Sequence, residues 1–192
     1  PSRATVTAAA GPARAAADAG ARQRLLETVG QVPLHFERND GQADTAFDFV
    51  AHGAGYRVGI APAGATLVLA SGGDGASGAA PDAVAFQFAW RGAAPSRTPV
   101  AYDRQTATIN YVRGNDPSRW QQGVPTFARV RYDEVYPGID LVYYGNQRRL
   151  QYDVVVSPGA DPSSIALDVH GADRVELASD GRLLLHAGER AL

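Results

Sequence analysis

The sequence predicts a mainly β protein: an antiparallel β-sandwich of jelly-roll-like or partly open barrel form. Three observations carry the prediction. About nine or ten short runs rich in Val, Ile, Leu and aromatic residues follow one another, most with alternating polarity. Turn signals recur about every 8–12 residues, as in sandwiches and barrels. Helical periodicity is confined to one short stretch and two single turns, too little for strand–helix–strand units.

Residues 1–20 are rich in Ala, Gly and Arg, with little large apolar content, and read as a flexible arm. Residues 21–29 (ARQRLLETV) suit a short helix, with Gly30 as its stop and Pro33 soon after. The remainder, 21–192, reads as a single β-sandwich domain that continues past its last residue into further structure. Leu34 and Phe36 alternate with His35 and Glu37, and Asn39-Asp40-Gly41 forms a turn. Strands are expected at Phe47–Ala51 and, as a hairpin, at Tyr56–Ile60 and Ala65–Ala70. The composition of 71–81 (SGGDGASGAAP) marks a loop. Val84, Phe86, Phe88 and Trp90 then share one strand face, and Thr106–Val112 is a further strand.

Asn115-Asp116-Pro117 sets an Asx cap before a proline at the first helical position, with Gly123 as the stop. Asp161-Pro162-Ser163-Ser164 repeats that start. Between them lie a strand at Phe127–Tyr132 and a type II turn at Tyr136-Pro137-Gly138-Ile139. The hairpin from Ile139 to Val156 can be given a register: Tyr143 with Leu150, Leu141 with Tyr152 and Ile139 with Val154 place six apolar or aromatic side chains on one face. Its loop would then be Gly145–Arg148. Ile165, Leu167 and Val169 alternate, and a last hairpin folds around Ser179-Asp180-Gly181.

The expected register sets Asp140 opposite Asp153. Like charges in direct opposition destabilise a sheet, so something should compensate. Arg131 or Arg149 could bridge the pair, or Ca²⁺ could bind it, since hard cations take oxygen ligands. A pair of carboxylates could also form a glycosidase site. Glu37, Asn39, Asp40 and Asp44 do not match a calcium-loop pattern and read as a turn. Trp120, on a capped loop turn, and Tyr144, on the polar face of the hairpin, are candidates for an exposed ligand platform, whereas Trp90 and Tyr143 lie on apolar faces and belong to a core. His35, His52, His170 and His186 lack ligand spacing and read as surface histidines. No nucleophile elbow, Walker motif or dinucleotide fingerprint is present.

Two blocks resemble a known family. LHFERNDGQAD followed by FVAHGAGYRVGI, and NYVRGNDPSRW followed by VPTFARVRYDEVYPGIDLVYYGNQRRLQYDVVVSPGADP, are similar to the N-terminal domain of bacterial cell-surface proteins that carry seven-bladed β-propeller (SBBP) repeats. The likeness runs from about Leu34 to His186. It implies a secreted or cell-surface β module ahead of propeller or other repeat domains, which would be its partners. It brings no catalytic residues.

Composition narrows the function further. The net charge of −2 does not supply the basic face that nucleic acid requires. All 18 basic residues are Arg. The absence of Cys excludes disulfides, thiolate metal sites and a Cys nucleophile, and no apolar run is long enough for a membrane-spanning helix. The expectation is therefore a non-catalytic module for assembly, display or adhesion, secreted or at the cell surface, with no cofactor unless Ca²⁺ binds Asp140 and Asp153. The alternatives are a carbohydrate-binding module using Trp120 and Tyr144, which could engage surface glycans or proteins, and a β-sandwich glycoside hydrolase using Asp140 and Asp153.

Overall fold

The computed structural model of the chain describes residues 34–53, 55–70, 83–94, 98–112, 114–146, 149–188, 190 and 191. The expected arm, the helix at 21–29 and the loop at 71–81 lie outside the described residues.

The fold is mainly β and antiparallel. Its strands are β1 (Phe36–Arg38), β2 (Phe49–Gly53), β3 (Tyr56–Ala61), β4 (Gly64–Ala70), β5 (Ala83–Trp90), β6 (Val100–Tyr111), β7 (Gln121–Tyr136), β8 (Ile139–Asn146), β9 (Arg149–Val156), β10 (Leu167–His170), β11 (Arg174–Leu177), β12 (Leu183–Ala187) and β13 (Arg190–Ala191). Ten of them form one sheet in the order β10-β5-β4-β3-β2-β1-β7-β8-β9, with β6 also on β7. The last three form a separate small sheet. The two expected helical turns are present as one-turn 3-10 helices, Pro117–Arg119 and Pro162–Ser164. Their caps are as expected: Asp116 accepts from the Ser118 amide at 3.0 Å and Asp161 from the Ser163 amide at 2.9 Å. Gly123 is not a helix stop. It lies within β7, and its amide donates to Asn110 Oδ1.

Of the two expected forms, the chain is nearer the partly open barrel: rather than two facing sheets, one sheet curls into a half-barrel. The reason is β7, which is 16 residues long rather than the expected six. Phe127 is registered with both Arg104 of β6 and Phe36 of β1, so those strands lie on opposite edges of β7. Arg129 is registered with both Tyr102 of β6 and Tyr144 of β8, so these too are on opposite edges. It follows that β1 and β8 share one edge of β7, and the sheet forks there. One wing is β1-β2-β3-β4-β5-β10 and the other is β8-β9. Between them lies the core of Phe36, Phe49, Val58, Ile60, Trp90, Val130, Tyr132, Ile139, Leu141 and Tyr143.

The β8–β9 hairpin has the expected faces but not the expected register. Tyr143 pairs with Tyr152, Leu141 with Val154 and Ile139 with Val156. The slip is two residues, which leaves every side chain on its own face. The observed register carries Gly145 into β8 rather than the loop, at a point where only glycine fits: a Cβ there would come within 2.4 Å of the Leu34 carbonyl oxygen. The strands therefore run on to Asn146 and Arg149, with two residues between them. Gly138 does occupy the predicted turn, with the left-handed φ of 71° that a type II turn requires.

Candidate functional site

The new register separates the two hairpin carboxylates. Asp153 faces Val142, and Asp140 faces Val155. Each has its own structural partners. One oxygen of Asp140 takes the Arg131 guanidinium at 2.7 Å, and the other takes the Glu134 amide at 2.8 Å. Glu134 has a φ of 52°, inside the register shift of β7 between Tyr132 and Tyr136. Asp140 thus receives an amide that the bulge has turned away from the ladder. The expected Arg131 bridge is present, but it joins Asp140 to Asp133 and does not reach Asp153. Asp153 accepts from the Tyr144 hydroxyl at 3.0 Å, and that bond raises the pKa of the phenol. Among the described residues no group of three or more acidic or histidine side chains has metal-binding geometry.

Trp120 and Tyr144 are not brought together. Trp120 follows the first 3-10 helix, half-buried, with its indole N–H donated to the Gly114 carbonyl at 3.2 Å. Tyr144 is registered with Arg129, nine positions further along β7 than Trp120. At about 3.3 Å per strand residue, one sugar could not bridge them.

A polar cluster that sequence reasoning missed lies on the outer face of the first wing. Glu37 is only 1% exposed. Its Oε2 accepts from the Tyr111 hydroxyl at 2.6 Å, and its Oε1 lies 3.3 Å from His52 Nδ1 and 3.9 Å from His35 Nε2. Burial by itself would raise the Glu37 pKa. The hydrogen bonds from His52 and Tyr111, with the fields of both histidines, outweigh burial and hold it below the usual carboxylate value. Two features cover this face. β6 shifts register between Arg104 and Thr108, and the Ala107 carbonyl takes the hydroxyl of Thr126, which is fully buried. The loop after β1 is folded back by Asn39, whose side chain binds the Asp44 and Phe47 carbonyls and the Gly41 and Ala43 amides. A concavity of about 260 Å³ remains beside His52, bounded by Gln42, Asp44, Arg57 and Tyr111. The available signal was the pair His35 and Glu37, which share a strand face by alternation. Nothing in the pattern tells whether that face is covered.

The second concavity lies where the wings part. It measures about 400 Å³ and is lined by the inner faces of β3, β4, β5 and β10 on one side and β8 and β9 on the other, together with Arg149 at the start of β9, which the register places with the outer-face residues of the hairpin. Its aromatic floor is tied together: the Trp90 indole N–H donates to the Tyr143 hydroxyl at 3.1 Å, and Tyr152 sets its ring edge-on to Trp90 with centroids 5.1 Å apart. Trp90 and Tyr143 are buried, as predicted, whereas Tyr152 is 46% exposed.

A curled antiparallel half-barrel with an apolar cleft and a separate buried polar cluster defines the architecture without defining a chemistry. A family model described as a domain of unknown function (DUF7948) matches residues 36–192, and the chain belongs to that family. No curated protein and no solved structure matches it.

Proposed function

We propose that the chain is a non-catalytic β module of a secreted or cell-surface protein, serving assembly, display or adhesion beside repeat or propeller domains. The observation that carries this reading is the small sheet. Val175, Leu177 and Leu183 project from it 45%, 72% and 44% exposed, around Leu185, which is buried. The register places Val175 opposite Leu185 and Leu177 opposite Leu183, so all four share one face. Adjacent exposed apolar side chains on one face mark a contact surface. The resemblance to the N-terminal domain of SBBP-repeat proteins supplies the partner, a β-rich repeat module of the same polypeptide.

The carboxylates that a glycosidase reading would use, Asp140 and Asp153, are held in structural bonds and do not oppose each other. The test is to produce the chain together with the segment encoded after it and measure hydrogen exchange on β11–β13. Protection of Val175–Leu177 and Leu183–Leu185 that Leu177→Asp abolishes supports the reading. Turnover on a hydrolase panel, abolished by one point mutation, would overturn it.

A further inference from the structure

We propose that the cleft between the wings is a binding site for an amphiphile with a single alkyl chain and an anionic head group. The lining is apolar or aromatic with one exception. Leu67, Leu69, Phe88, Leu150 and Leu167 form its walls around the Trp90–Tyr152 pair, and Arg149 is the one charged residue among the described lining residues. Among the described residues no carboxylate lines the cleft. Arg149 is exposed at the start of β9 and forms no ion pair among the described residues. Most other arginines among the described residues are matched: Arg38 to Asp40, Arg91 to Asp168, Arg129 to Asp103, Arg131 to Asp133 and Asp140, Arg174 to Glu176, and Arg182 to Asp180. The volume of about 400 Å³ falls in the range of about 300–1,000 Å³ typical of small-molecule sites.

The occupant follows from what the cleft can and cannot satisfy. A peptide strand would bring an amide and a carbonyl at every residue, and each would need a partner inside the cleft. The walls offer leucine and phenylalanine side chains, and the Tyr143 hydroxyl already accepts from Trp90. An alkyl chain needs only apolar surface, and burial of its methylenes is favourable by itself. Its head group then emerges at Arg149, where a carboxylate or phosphate complements the guanidinium.

The test is titration of the protein with dodecanoate, dodecyl phosphate, dodecanol and dodecylamine below their micellar concentrations. The readout is Trp90 fluorescence in a Trp120→Phe background. Saturable one-to-one binding of either anionic probe is expected, with dodecanol weaker and dodecylamine weaker still. The order of the two anions distinguishes a carboxylate from a phosphate head. Arg149→Glu, an exposed change that leaves the core alone, should weaken the anionic probes by about fivefold or more and spare dodecanol. Leu69→Glu should weaken all four, with circular dichroism confirming its fold; if it does not fold, the Arg149→Glu comparison carries the test. Absence of saturable binding overturns the proposal, as does equal affinity for dodecanoate and dodecylamine. An amphipathic strand peptide that protects the β9 and β10 amides while dodecanoate does not bind would overturn it in favour of strand addition.

Discussion

Gly145 lies against the backbone of Leu34: a Cβ at position 145 would sit 2.4 Å from the Leu34 carbonyl oxygen and 3.0 Å from its carbonyl carbon. The end of β8 therefore passes beneath the chain entering β1 at the crotch of the forked sheet. Gly145→Ala should destabilise the fold by about 1–3 kcal/mol, because the obstruction is backbone and cannot rotate away. Urea denaturation measures this; a stability unchanged within about 0.5 kcal/mol would mean that the wings are not this close.

Asp140 and Asp153 should respond differently to mutation. Asp140→Ala removes the acceptor of the Glu134 amide as well as the Arg131 partner, at a cost of about 1–2 kcal/mol. Asp140→Asn keeps an acceptor for the amide and should cost under about 1 kcal/mol, since Arg131 is partly exposed and its ion pair is screened. Asp153→Ala should fall within about 0.5 kcal/mol of the parent. Calcium should leave the melting temperature of all three unchanged. A calcium-dependent rise in the parent that both alanine variants lose would restore the cation reading.

Glu37 should give the fold an acid limb. Its pKa is lower folded than unfolded, so the folded state favours the carboxylate. The resulting stability is fully present above the unfolded value of about 4.3. It is lost as pH falls from there through the lower folded value. Glu37→Gln should flatten denaturation midpoints between about pH 5 and pH 3, while lowering stability at neutral pH. Midpoints that fall as steeply in the variant as in the parent would assign the limb to other carboxylates.

Removing the Tyr143 hydroxyl isolates one bond in the cleft floor. Tyr143→Phe leaves the buried Trp90 indole N–H without its acceptor, at about 1–3 kcal/mol. It should also shift Trp90 emission in a Trp120→Phe background. Tyr132→Phe loses a bond to Asp48 and sets a useful comparison, because it should destabilise without changing the indole's hydrogen bond.

What could be read from the residues divides by the range of the physics. The two 3-10 caps were legible because an Asx side chain, a proline and an amide two residues on settle the geometry among themselves. The faces of β8 and β9 were legible from alternation, but their register was not. A slip of two keeps every face, so the hydrophobic pattern is blind to it, and Gly145 imitated a loop glycine while serving a close approach. The Arg131 bridge to Asp140 was foreseen as one way of compensating charge; the bulge amide of Glu134 that shares the carboxylate was not. The Glu37 cluster was not legible, because alternation assigns His35 and Glu37 to a face but cannot tell that Tyr111, some 70 residues later, closes over it. The cleft escaped notice for a related reason: its floor and walls look like core until the fork holds the wings apart.

The fork also sets an order of events. Val130 finds Tyr143 only 13 positions downstream, 143 minus 130, so the β7–β8 pairing closes a short loop. Phe36 must wait for Phe127, 91 positions away, 127 minus 36. Loop closure is cheaper over the shorter span, and non-local pairing is slow. In a chain made from its N-terminus, β1–β4 therefore emerge with both edges open, β4 awaiting β5 and β1 awaiting β7, and with one bare apolar face, and the β1 edge can be anchored only once β7 has been synthesised. The first wing is thus the stretch most open to chaperone capture or mispairing, and β7 is the strand whose arrival ends that interval.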